Sequence, residues 1–381
     1  MTHSVTTRIF TSLSTMCPAV TRALIVLTSA AYFACSGLPF LTPSPSEVSD
    51  SRYAMGTVLE VSLWTRQPAE GRRIIAAIFR RVEELEALFS HFRPESALST
   101  LNRAAGRGPQ PVPWELARML SEAAEYSRLT LGTFDVTVGP LVELWQTAAQ
   151  RNQLPTPPEL TAAYERVGIA HLRVIESVRG KERIALAELA REGMSIDLGG
   201  VAKGYALDRA RELLLRGKID SALIDFGQSS WLAIGAPPKE PHGWRVLLRG
   251  ARGEAAGVLT LRDQMLSVSG SLGQVNEIEG QRFGHIVDPR SGRPITKARQ
   301  VAVVAQGGTQ TEALTKALLV LGADEGIALL EPMRDVEALL LDADGETART
   351  SGWNDAVAFE GFAAQPHTPR GDLSSPDASA R

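Results

Sequence analysis

Apolar residues recur at steps of three and four in several stretches of the chain, the spacing of one face of an α-helix. The clearest case is residues 70–89, where the apolar face consists of Ile74, Ile75, Ile78, Val82, Leu85 and Leu88. A second helix is predicted over residues 114–129. A third is predicted over residues 312–321 and ends at Gly322, because glycine commonly follows the last turn of a helix.

Short apolar runs between these helices have the length and composition of β-strands. They predict strands at residues 58–63, 221–226, 231–234, 244–248, 258–261 and 301–305. Residues 172–187 predict a hairpin with its turn at 179–180, and Pro155, Pro157 and Pro158 predict a surface loop. Helices at both ends with many short strands between them favour an α+β fold over a doubly wound sheet.

The first 35 residues differ from the rest of the chain. They contain no Asp or Glu, carry Arg8 and Arg22, and include a short apolar stretch at residues 23–34. This is the pattern of a secretory signal, and the stretch is shorter than a bilayer span requires. Cys35 follows it directly, at the position where bacterial lipoproteins are cleaved and acylated. We expect export to the periplasmic side of the inner membrane with a lipid anchor at Cys35; the alternative is an unmodified cysteine in a removed signal.

Composition predicts one large domain after this signal. Residues 36–50 are rich in Pro and Ser and predict a linker, residues 51–361 predict the folded domain, and residues 362–381 predict a disordered tail. Both cysteines lie in the signal, so the domain offers neither a disulfide nor a thiol nucleophile. Basic and acidic residues are nearly balanced, 40 against 43, with no basic block, which argues against nucleic-acid binding.

A glycine-rich segment at residues 197–204 is the first candidate for chemistry. Its glycines allow close approach of the backbone to a ligand, and the helix predicted to begin there offers unpaired N–H groups to an anion. Lys203 adds positive charge beside a phosphate, and Asp197 accepts hydrogen bonds. The structural alternative is a plain tight turn in which Asp197 caps the helix.

Three further segments carry candidate side chains. His285 precedes a turn-forming Asp-Pro-Arg-Ser-Gly segment and is a candidate general base; a structural loop, in which Asp288 bonds its own backbone, is the alternative. Glu312, Thr315 and Lys316 share one helix face, and a carboxylate beside a hydroxyl suits Mg²⁺. The alternative there is a helix cap by Thr309 or Thr311 and an exposed Glu312–Lys316 pair. The third segment surrounds Phe134 with glycines, Thr133 and Asp135, which suits a flat ring system or a simple core residue.

Taken together and in order, these segments resemble the ApbE family of FAD:protein FMN transferases. The resemblance covers residues 50–360. It rests on five motifs: Met-Gly-Thr at 55–57, a Ser/Thr-rich segment ending in Asn at 89–102, Gly-x-Phe-Asp-x-Thr-Val-Gly-Pro-Leu at 132–141, Asp-Leu-Gly-Gly-x-Ala-Lys-Gly-Tyr at 197–205, and His-Ile-x-Asp-Pro-x-x-Gly at 285–292. It implies an ApbE-type, T-fold-like α+β fold of mixed sheet layers with flanking helices in a single large domain.

The resemblance also implies an activity and its residues. FMN would pass from FAD to a Ser or Thr hydroxyl of an acceptor flavoprotein, a membrane or exported redox protein, with release of AMP. His285 would take the hydroxyl proton, and Mg²⁺ would be held by Gly200, Glu312 and Thr315. The flavin site would be formed by Met55, Phe92, Thr133, Phe134, Asp135, Asp197, Lys203 and Ile286.

The chain departs from the family pattern at its site. Lys316 stands in place of a threonine, and an ammonium group has no lone pair for a metal. Phe92 stands where many relatives have tyrosine, while Gln228 and Ser271 replace residues of two family turns. Two other functions therefore stay open: a metal-dependent FAD pyrophosphatase with water as the acceptor, and a non-catalytic flavin-binding or assembly protein.

Overall fold

The computed structural model describes residues 44–271 and 275–362. The described residues from Pro45 onward belong to one compact unit. The predicted signal, Cys35, most of the predicted linker, and the predicted tail beyond Phe362 lie outside the described residues. Those predictions therefore stay predictions. Within the described part, no helix is both long enough and apolar enough to cross a bilayer.

The described residues form helices and many short strands. The helices are α1 Pro68–Phe89, α2 Ala97–Arg103, α3 Trp114–Leu129, α4 Gly139–Arg151, α5 Pro157–Tyr164, α6 Ala202–Arg216, α7 Gly308–Leu321, α8 Ala323–Leu330 and α9 Trp353–Ala356. The strands up to the middle of the chain are β1 Ser46–Ala54, β2 Thr57–Thr65, β3 Gln110–Pro111, β4 Leu172–Arg179, β5 Glu182–Leu189, β6 Ala222–Phe226, β7 Ser230–Ile234, β8 Trp244–Arg249 and β9 Ala255–Leu261. The later strands are β10 Gln264–Gly270, β11 Val275–Ile278, β12 Gln281–Gly284, β13 Val287–Asp288, β14 Arg293–Pro294, β15 Arg299–Ala305, β16 Glu337–Asp342, β17 Thr347–Arg349 and β18 Ala358–Gly361.

An eight-stranded sheet forms the centre of the domain. Its strand order is β1-β2-β6-β7-β10-β15-β16-β17, and each of these pairings is antiparallel. Strand β7 is buried along its whole length, as a central strand covered on both faces must be. The predicted α+β class is confirmed.

Alternate residues of the central strands enter two different cores, because successive side chains of a strand point to opposite faces. Leu232 and Ile234 of β7 pack in the core formed with α1 and α6. Trp231 and Ala233 pack in a second core with the three-stranded sheet β8-β9-β18. The domain therefore has three layers, with helices on one face of the main sheet and a small sheet on the other.

Helices α6 and α7 meet at their backbones. An added Cβ on Gly204 of α6 would overlap the carbonyl oxygen of Gly308, and an added Cβ on Gly308 would overlap that of Gly204. One helix turn further along α6, Asp208 accepts hydrogen bonds from the N–H groups of Gly308 (2.7 Å) and Thr309 (2.9 Å). Asp208 therefore caps the start of α7 from a neighbouring helix. A helix is usually capped by the residue that directly precedes it in the sequence.

Replacement of Asp208 by alanine is expected to lower the free energy of unfolding by about 2 kcal/mol, because the first N–H groups of α7 lose their acceptor. Urea unfolding followed by circular dichroism measures the change. Asp344→Ala is the matched control, since Asp344 is exposed and its carboxylate lies 3.9 Å from Lys297. The control should stay within about 0.5 kcal/mol of the parent chain. Equal stabilities of the two variants would contradict the capping role.

Two local predictions are corrected by the structure. Strand β1 begins at Ser46, inside the predicted 36–50 linker, and pairs with β2 over its full length. Its polar composition hid it, because most of its side chains face solvent. The predicted proline loop contains the start of α5, whose first residues tolerate proline and whose Thr156 and Glu159 form a capping box.

Candidate active site

A cleft of about 680 Å³ opens at one end of the central strands. The start of β2, the β6–β7 turn and the end of β10 meet there, since these antiparallel strands place those ends side by side. The N-terminus of α6, one face of α7, and the loops at residues 133–138 and 285–289 complete its walls. All predicted site residues except Thr315 line this cleft.

The β1–β2 hairpin presents its tip to the cleft. Met55 and Gly56 both have positive φ, 47° and 80°, as the two central residues of a type I′ turn require. The N–H of Met55 donates to Oε2 of Glu86 at 2.9 Å, and Oε1 of Glu86 accepts from Arg93 at 3.1 Å. Helix α1 therefore fixes the position of Met55 through Glu86.

The Asp197 segment is held at both of its edges. Asn102 clamps the preceding residue, Ile196, with two hydrogen bonds of 2.8 and 3.0 Å to its backbone N–H and carbonyl groups. The Oδ1 atom of Asp197 accepts from the N–H of Gly199 at 2.7 Å. Asp197 thus shapes the Gly199–Gly200 turn and does not cap a helix, which corrects the structural alternative considered for this segment.

Helix α6 begins immediately after this turn, and Val201 is its N-cap residue. Among the described residues, no side chain caps its N-terminus. Gly199, Gly200 and Lys203 all line the cleft. Unpaired N–H groups, the positive end of the helix dipole and a nearby ammonium group together favour an anionic ligand.

The Thr133–Asp135 loop combines core packing with a wall of the cleft. Phe134 is buried in the main core, and the Thr133 hydroxyl donates to the carbonyl of Thr130 at 2.7 Å. Asp135 accepts three hydrogen bonds: from the N–H and hydroxyl of Thr137 at Oδ1 and from the N–H of Ile169 at Oδ2. Burial raises the pKa of Asp135 above its ordinary value despite these hydrogen bonds. Its carboxyl group orders the loop, and the residue forms part of the cleft wall.

His285 and Ile286 reach the cleft on the loop between β12 and β13. The following turn is closed by Asp288, whose Oδ1 accepts from the N–H of Arg290 at 2.9 Å, as the structural interpretation of this aspartate predicts. The indole N–H of Trp145 on α4 donates to the carbonyl of Gly292 at 2.8 Å. Trp145 therefore anchors the β13–β14 turn, which follows the loop that carries His285.

Two lysines and a glutamate form the polar floor of the cleft. The ammonium group of Lys316 contacts Oε2 of Glu312 and lies 3.0 Å from the hydroxyl oxygen of Ser269. Glu312 is only 2% exposed and also accepts from the hydroxyl of Ser230. The ammonium group of Lys203 contacts the hydroxyl of Ser229. The predicted alternative of an exposed Glu312–Lys316 pair is wrong, because the sheet and α6 enclose this part of α7.

The charges in this floor shift the pKa values of Glu312 and Lys203. Burial is the largest influence on Glu312 and acts to raise its pKa. The charges of Lys316 and Lys203, together with hydrogen bonds from Lys316 and Ser230, outweigh it, so the pKa of Glu312 lies below the ordinary value. Burial lowers the pKa of Lys203; Glu312 opposes that change and Lys316 adds to it. The carboxylate of Glu312 is therefore held ionised against the two cations.

The side chains predicted to bind Mg²⁺ do not form a metal site. Thr315 lies beneath the cleft wall, where its hydroxyl donates to the carbonyl of Glu312 at 2.8 Å. Glu312 is already paired with an ammonium group, so in the part of the chain that the structure describes the backbone carbonyl oxygen of Gly200 is the one predicted ligand left without a competing side-chain partner. The described residues contain no group of three or more His, Cys, Asp or Glu side chains placed to hold a metal ion. This donor set does not fit a divalent cation.

The aromatic rings of His91 and Phe92 lie at the mouth of the cleft. Phe92 is 82% exposed, and its ring centroid lies 3.9 Å from that of His91 at an angle of 42°. His91 was not predicted; its Nδ1 lies 3.5 Å from Oδ1 of Asp197. Its position beside Phe92 in the sequence was the only available signal. Ser229 and Ser269, which contact the two lysines, were also missed as ligand-facing groups.

Fold and cleft define a class of protein: an α+β domain with a cleft where the central strands end beside a helix N-terminus. The sequence model of a protein family, described as the ApbE family, matches residues 55–340 of this chain. The chain belongs to the ApbE family.

Individual relatives agree with this assignment. The FAD:protein FMN transferase of Treponema pallidum (strain Nichols) is 31% identical over 325 residues, which cover 82% of this chain and 89% of that protein. The one of Salmonella typhimurium (strain LT2) is 28% identical over 310 residues, covering 78% and 87%. Among solved structures, the flavin transferase ApbE from Vibrio cholerae superposes with a TM-score of 0.69 at 25% identity, covering 82% of this chain and 99% of that one.

Proposed function

We propose that this chain transfers FMN from FAD to a Ser or Thr hydroxyl of an acceptor flavoprotein and releases AMP. The observation that carries the proposal is the meeting of the Gly199–Gly200 turn, Lys203 and His285 in one cleft. An anion-binding turn and a candidate base at the same cleft are what phosphoryl transfer from a dinucleotide requires. The names of the relatives support the same activity.

The cleft residues divide into two groups by their chemistry. The turn at Gly199–Gly200, with the N-terminus of α6 and Lys203, would bind the diphosphate of FAD through N–H groups and positive charge. A second group of residues would surround the isoalloxazine ring system. Its apolar members would pack against the ring and its polar members would form hydrogen bonds with it. The group consists of Met55, Phe92, Thr133, Phe134, Asp135, Asp197 and Ile286.

The chemical step is an in-line displacement at the FMN-side phosphorus. The acceptor hydroxyl oxygen forms a new bond to this phosphorus, and the bond from phosphorus to the bridging oxygen breaks. AMP leaves with that electron pair, and the hydroxyl proton goes to the imidazole of His285. The products are a phosphoester-linked FMN on the acceptor and free AMP.

The family resemblance also predicts Mg²⁺ at Gly200, Glu312 and Thr315. Because Glu312 is paired with Lys316 and the Thr315 hydroxyl donates to the carbonyl of Glu312, no step of this mechanism is assigned to a metal ion. The residues of this chain bind the diphosphate, orient the two reacting oxygens and accept the proton.

Incubation of the purified chain with FAD and an acceptor flavoprotein domain tests the proposal. AMP is measured by chromatography, and attached FMN by the mass and fluorescence of the denatured acceptor. Transfer gives equal amounts of both. AMP with free FMN and an unlabelled acceptor would show a pyrophosphatase instead. Retained yellow FAD with no AMP would show a non-catalytic binding protein, and both of these results contradict transfer.

We also propose that the domain works outside the cytoplasm, anchored at Cys35 to the periplasmic side of the inner membrane, beside an exported or membrane redox protein. The support is the acid-free, apolar leader and the position of Cys35 at its end. Cys35→Ala is expected to move the chain from the membrane fraction to the periplasmic fraction. An unchanged distribution in fractionated cells would contradict the lipid anchor.

A further inference from the structure

Two ammonium groups converge beside the Gly199–Gly200 turn. Lys203 lies in the first turn of α6, three positions after Gly200. Lys316 reaches the same place from α7: its Cε lies 3.7 Å from the position that a Cβ on Gly200 would occupy. Both lysines line the cleft. Two ammonium groups therefore lie where the proposed function places the diphosphate of FAD, with the carboxylates of Glu312 and Asp197 beside them.

The surroundings of Lys316 hold its ammonium group in one position. Oε2 of Glu312 and the hydroxyl oxygen of Ser269, the latter at 3.0 Å, both accept from it. Glu312 is held in turn by the hydroxyl of Ser230. A buried carboxylate with a fixed partner orients a cation that would otherwise be one of the more mobile side chains. With Lys203, these groups carry one net positive charge.

A divalent cation would meet unfavourable surroundings at the same place. Bound to Glu312, it would lie against the ammonium group of Lys316 and near that of Lys203, and like charges at such distances repel strongly inside a protein. It would also need Glu312 to give up its partner, and a buried charge without a partner is costly. Lys316 itself offers no lone pair.

We propose that the ammonium group of Lys316 compensates the charge of the FAD diphosphate in place of a divalent cation, so that neither FAD binding nor AMP release by this chain requires one. The inference rests on the proposed function. Lys316 on α7 donates hydrogen bonds to phosphate oxygens as a point charge, as Lys203 does from α6. The charge that develops on the departing AMP is stabilised by these fixed cations.

The test compares AMP release in excess EDTA with AMP release in millimolar Mg²⁺. The parent chain is expected to give rates that differ by less than about twofold between the two conditions. Lys316→Met is expected to slow AMP release in EDTA by about 10²-fold or more, because a fixed charge at the reacting phosphates is lost. Lys316→Arg keeps the charge and should recover part of that rate. Lys181→Met, in the β4–β5 turn and outside the cleft, is the matched control.

A double variant separates the effect of the lost charge on AMP release from the effect of unfolding. Lys316→Met leaves Glu312 buried without its closest partner and can unfold the domain for that reason alone. The double variant Glu312→Gln/Lys316→Met removes both charges and keeps the side-chain volumes similar. It is expected to show the melting temperature of the parent chain together with the slow AMP release of Lys316→Met. Parent-like AMP release from this folded double variant would overturn the inference.

Quenching of FAD fluorescence measures binding independently of turnover. The parent chain is expected to bind FAD equally in EDTA and in Mg²⁺, and Lys316→Met to bind about tenfold or more weakly in both. AMP release that disappears in EDTA and returns with Mg²⁺ would overturn the inference and leave the proposed function standing. Binding in EDTA that depends on Lys316, with no AMP under any condition, would contradict the proposed function but support the role of Lys316 in binding.

Discussion

Replacement of His285 by asparagine is expected to slow AMP release from FAD by about 10²–10⁴-fold, with FAD binding retained. Asparagine keeps a polar side chain of similar size, so the walls of the cleft are preserved, but it cannot take the proton of the attacking hydroxyl at neutral pH. Quenched-flow measurement of AMP at saturating FAD and acceptor gives the rate. Fluorescence quenching gives the affinity for FAD.

Two other histidines serve as controls for this prediction. His242 is exposed and does not line the cleft, so His242→Asn should keep the parent rate. His91 does line the cleft, with its Nδ1 3.5 Å from Oδ1 of Asp197, and is the competing candidate for the base. A large loss of rate in His91→Asn with a small one in His285→Asn would reverse the assignment.

Replacement of Gly204 by alanine is expected to destabilise the domain by about 3 kcal/mol or more. The added Cβ would overlap the carbonyl group of Gly308 and lie 2.8 Å from Cγ of Glu312. Alanine favours a helix over glycine by about 1 kcal/mol, which is too little to offset a clash with backbone. Helices α6 and α7 would have to separate, and Lys316 would move away from the Gly199–Gly200 turn.

Gly200→Ala is the matched control for this substitution. Its Cβ would meet nothing closer than 3.7 Å, so its stability should stay within about 0.5 kcal/mol of the parent chain. Urea unfolding of the two variants, followed by circular dichroism, makes the comparison. A Gly204→Ala variant as stable as the control would mean that the two helices do not touch at their backbones.

Local sequence patterns predicted the elements whose periodicity is strong. Helix α3 has the predicted bounds, and α1 begins two residues before its predicted start. Strand β10 was not predicted, because its serines interrupt the apolar run: Ser267 is fully buried, and its hydroxyl lies 3.3 Å from that of Thr315. When a polar residue is buried against a hydrogen-bonding partner from another element, its own sequence segment does not predict that burial.

The order of the motifs predicted nearly all of the candidate site residues that line the cleft. The burial and pairing of the charged side chains among them could not be predicted. The spacing of Glu312 and Lys316 placed them on one helix face, but whether that face meets solvent depends on α6 and the sheet. The same limit applies to Thr315, which the sequence placed beside Glu312 and the structure directs towards Ser267 and Ser269. Sequence spacing gives neighbours along a helix; the direction and burial of each side chain follow from tertiary packing.

The exposed ring of Phe92 has a thermodynamic consequence. Apolar surface that is wet in the free protein contributes to the heat capacity, and a planar ligand that covers the ring removes this contribution. Calorimetric titration with FAD should therefore give a binding enthalpy that becomes more exothermic as the temperature rises. The slope of that change measures how much of the cleft mouth the flavin dehydrates.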